Sequence, residues 1–444
     1  MSTLDVGIVN VALPTIANQF GVSLAQVQWI VTSYLITMIA LLPFFGRISD
    51  RLDRSKVYSW GFFIFSIGSL LIPLFSSFLT VIVARCIQGI GATMIMANSQ
   101  AMVRQVFPDH ERGKALGINA VVISIGTLSG PAIGGLLLEY TGWPVLFLIN
   151  VPFGILACVL GLRFFPKVIN VKKGMLDLLG STLLAIAAVL FLLGTTNLQE
   201  HGASSSVLIT LIAGVFLFII LVIQQKKIKK GIIDLDLFSI KTVSLGNASG
   251  FLIHLVQMAA LIPITFYMQE MLKYSTFMIG MILSIQPLIM ALIAPVAGWY
   301  RDKFSAALPL LLGPLLCAVS MLFIGFSKEI SLLGISFHFL AMGAGFGLFQ
   351  AINNAEIMSS TPDSKISLSG SLLALIRYFG MLCGTGVATI FAGNLGIEGY
   401  DTNHISSSIQ YLFGLCFILC LVVVVLGISR FLPKKAMQKI TISK

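Results

Sequence analysis

Charge is what this chain lacks most. Only 10% of its 444 residues are Asp, Glu, Lys or Arg, against about a quarter in a soluble domain. That scarcity excludes an ordinary soluble enzyme, a disordered chain and a nucleic-acid-binding module. Cysteine is also sparse. All six (Cys86, Cys158, Cys317, Cys383, Cys416, Cys420) stand in apolar runs without metal-ligand spacing, so they read as small core or lipid-facing residues. No Walker A sequence is present, which excludes direct drive by ATP. No Ser/His/Asp set or metal-ligand cluster emerges either. The chain is therefore not expected to be an enzyme, to hold a metal or cofactor, or to bind nucleic acid.

What is present is apolar sequence: 57% of residues are hydrophobic and the mean hydropathy is +0.98. A helix crossing a bilayer needs roughly 20 apolar residues. Runs bounded by charges and turn residues predict fourteen spans, near 1–18, 27–46, 57–76, 79–102, 114–138, 143–165, 177–197, 206–224, 244–270, 276–299, 306–326, 331–358, 367–392 and 407–430. Fourteen helices of about 22 residues leave about nine residues per loop or tail, too few for a sizeable extramembrane domain. The expected fold is an all-α integral membrane protein. No cleavable signal peptide is visible: the first span lacks a basic flank and contains Asp5.

The few charges are sorted by side. If the loop carrying Arg47, Arg51, Arg54 and Lys56 is cytoplasmic, every second loop and both termini join it, and 25 of the 28 Lys and Arg fall on that side. Lys273 and Lys328 fall opposite, and Arg85 lies inside a span. This is the positive-inside pattern, so a multi-pass protein with cytoplasmic termini is expected. The run Lys226, Lys227, Lys229, Lys230 reads as a juxtamembrane patch against anionic lipid.

The chain also repeats. Span two ends Pro43-Phe44-Phe45-Gly46-Arg47-Ile48-Ser49-Asp50-Arg51, and span ten ends Pro295-Val296-Ala297-Gly298-Trp299-Tyr300-Arg301-Asp302-Lys303. Both read P-x-x-G-x-x-x-D followed by a base. Two six-helix bundles explain this, with 177–197 and 206–224 as an inserted pair of spacers without a site. The expected organisation is an N-terminal bundle over 1–165, the insertion over 166–240, a C-terminal bundle over 241–430 and a tail over 431–444. Repeated bundles flanking a midplane site are the plan of a secondary transporter.

Charges within the spans mark candidate sites. Asp5 must be paired, hydrated or protonated in hydrocarbon, which makes it a candidate proton carrier. Only four residues precede it, about 6 Å of helix, so an interfacial position is the competing reading. Arg85, followed by Gln88, Gly89 and Gly91, must face a polar cavity or an acid. Gly126, Gly130 and Gly134 share one helix face with Pro131 beside them, and Gly135 follows. Such a face packs tightly, here expectedly against the opposite bundle. Glu356 and Arg377, with Asn353 and Asn354, offer an inner gate, a second proton site or an interfacial ion pair. His254 and His338 read as satisfied by neighbours. Trp29, Tyr34, Phe147, Phe266 and Tyr267, with Asn10, Gln88, Asn354 and Arg377, are the candidate lining of an apolar substrate pocket.

These residues resemble the major facilitator superfamily, and within it the fourteen-helix drug:proton antiporters, over nearly the whole chain. Gly46–Lys56 is similar to the family's loop motif, with Asp53 where glycine is usual. Arg85–Gly91 matches R-x-x-Q-G-x-G, and Gly126–Gly135 matches the antiporter motif G-x-x-x-G-P-x-x-G-G. Leu4–Pro14 resembles the first-helix motif, with Gly7 where threonine is usual. Trp143-Pro144-Val145 departs from the usual W-R-W.

The resemblance implies roles. Gly46, Asp50, Arg51 and Arg54, with Gly298 and Asp302 in the repeat, would hold a gate. Asp5 and Arg85 would carry proton coupling. The helix-five glycines and Pro131 would seal the bundle interface. It also implies proton-driven export of amphiphilic, often cationic or zwitterionic drugs (dyes, quaternary ammoniums, fluoroquinolones) across the plasma membrane, with a monomer sufficient for transport. The acid usual in helix thirteen is missing, and Glu356 is the candidate substitute. A dedicated exporter of a metabolite, amino acid, lipid or antibiotic is the alternative; a lipid-modifying enzyme or channel would need a catalytic or filter cluster.

Overall fold

In hydrocarbon every backbone N–H and C=O must be satisfied within its own segment, so apolar runs of this length fold as helices. The computed structural model describes residues 1–49, 52–74, 77–106, 122, 126, 129–165, 177–201, 204–228, 235–327, 331–362, 365–392 and 402–431. Its helices are α1 (Ser2–Phe20), α2 (Trp29–Ile48), α3 (Arg54–Leu74), α4 (Phe78–Val106), α5 (helical over 129–141), α6 (Trp143–Phe164), α7 (Leu178–His201), α8 (Ser205–Lys227), α9 (Lys241–Phe266), α10 (Thr276–Lys303), α11 (Ala307–Phe326), α12 (Leu332–Ser359), α13 (Ile366–Ala392) and α14 (Thr402–Phe431). Among the described residues there is no strand. Among the described residues, ten helices are long and apolar enough to cross a membrane, and Trp29–Leu42 and Leu179–Thr195 are shorter apolar stretches.

Local details depart from simple spans for physical reasons. A separate short helix, Leu24–Val27, precedes α2. α9 runs on through a π-turn, Tyr267–Met271, where Leu272 N–H reaches back to Tyr267 O at 3.1 Å. The start of the fifth predicted span, near 114–128, falls mainly outside the described residues. Ser275 and Ser331 accept the backbone N–H of Met278 and Gly334, each at 3.2 Å, which caps α10 and α12.

Two groups of helices pack separately. α3 lies on α4 and α6, and α2 on α4; in the second group α9 lies on α13 and α14, α10 on α12, and α11 on α12 and α14. The internal repeat is visible in the packing. Gly61 of α3 approaches Gly91 O of α4, and Gly313 of α11 approaches Gly345 O of α12. A side chain on any of the four would meet backbone or a neighbour inside contact distance, so small residues set these helix spacings.

The inserted pair is more than a spacer. α7 and α8 pack on each other, and α7 also lies on α2 and α13, across the seam between the groups. Phe218 of α8 stacks on Phe379 of α13 at 5.7 Å, and Gly386 of α13 meets Phe191 and Thr195 of α7.

The two groups touch at one end. Asn18 donates to Glu270 Oε1 at 3.0 Å, Gln269 to Thr15 Oγ1 at 3.2 Å, and Phe277 N–H to Glu139 Oε2 at 3.0 Å. Thr389 bonds Gln28 across α13 and the start of α2. At the other end, Gly46 of α2 and Gly298 of α10 have no described atom within 4 Å of where a Cβ would stand.

Candidate functional site

Asp5 is buried within the first group. Phe20, at the end of α1, packs on Phe78 at the start of α4 with ring centroids 5.7 Å apart. Fifteen residues back along α1, about 22 Å of rise, Asp5 meets Arg85 of α4. Arg85 Nη1 lies 2.6 Å from Asp5 Oδ2, and both side chains are 1% exposed. Asp5 Oδ1 accepts Gln88 Nε2 at 2.9 Å and Asn150 Nδ2 of α6 at 3.1 Å. Gln88 also donates to Ser69 Oγ of α3 at 2.8 Å and accepts from Arg85. Arg85 Nε donates to Ile30 O of α2 at 2.8 Å. Five helices thus meet in one hydrogen-bond network around this carboxylate.

The carboxylate is paired on both oxygens, which is how a buried charge is tolerated. A proton on Asp5 would remove the counter-charge of Arg85 and set an O–H against a donor, so it would weaken the contact of α1 with α4 and α6. Tyr34 and Phe147, expected in a substrate pocket, instead pack around Arg85, with its Cζ 4.5 Å and 5.8 Å from their ring centroids. Tyr34 Oη and Asn10 Oδ1 are buried without a hydrogen-bond partner.

The glycine face of α5 is divided between two neighbours. Gly130 and Gly134 do not meet the opposite group as expected; they meet α1, a Cβ on them standing 2.8 Å from Leu4 O and 3.0 Å from Ile8 Cα. Gly7 lies against Pro131 in the same contact. The reason is the helical turn: positions four apart look one way, and Gly135, about 100° on, looks across the seam. A Cβ on Gly135 would stand 2.5 Å from Thr276 O of α10, and one on Gly280 of α10 would strike Pro131 O. Thr276 Oγ1 donates to Gly135 O at 3.4 Å. Gly126 is helical and accepts from Ser129 Oγ at 3.4 Å.

In the second group a cavity of about 160 Å³ lies between α9, α12 and α13. Its lining is mixed: Asn247, His254, Gln350, Asn353, Asn354 and Arg377 are polar, and Phe349, Met358 and Leu373 are among the apolar walls. Trp29, Tyr34, Phe147, Phe266 and Tyr267 are not among the residues lining this cavity. Phe266 is buried in the core, Tyr267 sits at the π-turn, and Trp29 packs against the core. Glu356 faces Arg301 of α10 at 2.9 Å rather than Arg377, because it stands on a different side of α12 from Asn354. His254 Nδ1 bonds Gly250 O at 2.7 Å, and His338 Nδ1 bonds Ser320 Oγ at 2.6 Å.

Asp50 and Arg51 lie outside the described residues, as does the side chain of Asp302. Arg54 opens α3, where Asp53 Oδ1 accepts Ser55 N–H at 3.2 Å. Sequence reasoning missed Asn150, Ser69, Gln350, Asn247 and Gly280 as parts of these sites. An intramembrane amide such as Asn150 was the available signal. Among the described residues, no group of three or more His, Cys, Asp or Glu can hold a metal ion.

The Major Facilitator Superfamily model matches residues 1–224 and 248–442. The riboflavin transporter RibZ of Clostridioides difficile is 36% identical over 410 residues, 92% of this chain and 89% of that protein. The multidrug resistance protein Stp of Mycobacterium tuberculosis is 27% identical, over 87% of this chain and 72% of that one. Among solved structures, a POT family transporter in complex with a thioalcohol-conjugated peptide has a TM-score of 0.71 at 16% identity and covers 97% of this chain and 94% of that chain. An inward-facing, unoccupied bacterial homologue of the human lysosomal transporter Spinster has a TM-score of 0.69 at 14% identity and covers 96% and 93%. These structures share the fold. With the model matching nearly its whole length, two helix groups related by an internal repeat and a cavity in one of them, the chain belongs to the Major Facilitator Superfamily of membrane transporters.

Proposed function

We propose that this chain is a proton-coupled antiporter that exports small amphiphilic compounds across the plasma membrane, with Asp5 carrying the proton. The observation that supports this most is the carboxylate itself, buried at a five-helix junction and held by Arg85, Gln88 and Asn150. A carboxylate held by partners from other helices can couple its charge state to helix arrangement, which a proton carrier requires. Charge distribution supports cytoplasmic termini. On that orientation the touching bundle ends are extracellular and the cavity lies toward the cytoplasm. Asp50, Arg51, Arg54 and Asp302 would stabilise closure of the cytoplasmic end. Gly135, Pro131 and Gly280 would seal the outer one. Protons and one small molecule are the partners, with no cofactor, and one subunit suffices.

Substrate range has two readings. A multidrug role is supported by relatives named for multidrug resistance. A dedicated metabolite exporter is supported by the fixed polar groups of the cavity and by the relative named a riboflavin transporter. Purified protein in liposomes with an acidic lumen tests the coupling. As protons leave, an antiporter accumulates compound inside against its gradient. Uphill accumulation of several unrelated dyes supports the multidrug reading, and accumulation of riboflavin alone supports the dedicated one. No gradient-dependent accumulation of either contradicts proton coupling.

A further inference from the structure

The cavity between α9, α12 and α13 holds a cation, Arg377, with no acid beside it among the described residues. Arg377 of α13 makes one hydrogen bond among the described residues, from Nη2 to Tyr378 Oη at 3.3 Å, and its Cζ lies 4.9 Å from that ring. A guanidinium has five N–H donors, so most of its capacity is unused. Among the described residues no Asp or Glu lines the cavity; Glu356, two residues from Asn354, is engaged by Arg301. Gln350 and Asn354 stand one turn apart on α12, so they share a face, and both line the same space. Neither amide has a hydrogen-bond partner among the described residues. His254 has its Nδ1 engaged by Gly250 O, and its ring completes the polar wall. Behind that wall Arg430 donates to Asn353 Oδ1 at 2.8 Å, which adds further positive charge.

We propose that Arg377, Gln350 and Asn354 form the subsite that selects the transported compound. It takes neutral or anionic molecules that present a carboxylate or carbonyl-rich end on a flat apolar body, and it rejects fixed cations. This deepens the transport reading above and rests on the cavity being the substrate's. A planar fork of donors matches a carboxylate or paired carbonyls better than any other side chain does. The two amides add donors and acceptors beside it, and Phe349, Met358 and Leu373 supply apolar contact for the body. A quaternary ammonium would enter facing an unscreened guanidinium with no acid to receive it.

The test is equilibrium binding to the full-length protein in detergent, with two dyes that share a xanthene core. Fluorescein carries a carboxylate; rhodamine 6G carries an ester and a fixed positive charge. Fluorescein is expected to bind at least about tenfold more tightly, as one charge-assisted contact accounts for. Arg377→Gln should weaken fluorescein about tenfold or more, Arg377→Lys should weaken it less, and Arg377→Glu should reverse the order of the two dyes. Thermal unfolding of each variant separates lost binding from lost fold, and the pair Gln350→Ala, Asn354→Ala probes the same subsite without changing charge. Rhodamine 6G binding as tightly as fluorescein, or fluorescein binding that ignores a folded Arg377→Gln, overturns the proposal. Binding needs no gradient. Arg377-dependent binding without gradient-driven transport therefore overturns proton coupling alone, and transport with charge-indifferent binding overturns this inference alone.

Discussion

Asp5→Asn is expected to abolish gradient-driven export while substrate still equilibrates downhill. Asparagine keeps one acceptor for Gln88 or Asn150 but can neither take up nor release a proton, so the imposed gradient has no group to act on. The substitution also leaves Arg85 buried beside a neutral partner. Removing one member of a buried ion pair costs about 3–5 kcal/mol, and the network here includes Gln88, Asn150 and Ser69, which absorb part of it. The double variant Asp5→Asn, Arg85→Gln replaces the pair with neutral amides and should recover the lost stability. It should not recover uphill export. Folding is read by thermal unfolding in detergent, and transport by accumulation in liposomes with an acidic lumen. Wild-type accumulation by folded Asp5→Asn protein would sink the assignment.

Gly280→Ala is expected to open the seal between the bundles. A single methyl there strikes Pro131 O of α5, which is backbone and cannot rotate away. Overpacking of this kind typically costs about 1–3 kcal/mol. That cost falls only on the conformation in which α5 and α10 touch, so the balance between conformations shifts by roughly 5–150-fold. Proteoliposomes should then leak protons in the absence of substrate. Gly130→Ala behaves differently. Its methyl meets Leu4 O of α1, so it disturbs the helix carrying Asp5 within one bundle; stability and coupling fall, without a matching leak. Equal leak from both variants, or none from Gly280→Ala, would contradict this division of the glycine face.

Much of this was legible before any coordinates. Helices follow from apolar run length. Asp5 and Arg85 stand out because charge in hydrocarbon is costly. Their pairing with each other did not follow, since Asp5, Arg85 and Asn150 meet across 80 and 145 residues of chain. Nothing local in the sequence encodes which helices are neighbours. The glycine motif illustrates the same limit. Its spacing shows that Gly130 and Gly134 share a face, but not that the face belongs to α1. Aromatic residues misled for a related reason: Tyr34 and Phe147 are large and apolar wherever they point, and here they insulate Arg85. Of the cavity's polar residues, Asn354 and Arg377 stand out as intramembrane polar groups, whereas Gln350 and Asn247 do not, because no local pattern shows that their helix faces meet.

The proton movement that accompanies substrate movement tests the central claim most directly. Proteoliposomes in a lightly buffered medium, with no imposed proton gradient, are given riboflavin or fluorescein outside, and a pH electrode follows the medium. For an antiporter, each molecule that enters drives a proton outward, so the medium should acidify with wild-type protein. With Asp5→Asn the compound should still enter downhill and the pH should stay constant. Equal acidification by both proteins, or entry through wild-type protein with no acidification, would contradict the assignment of Asp5 as the carrier.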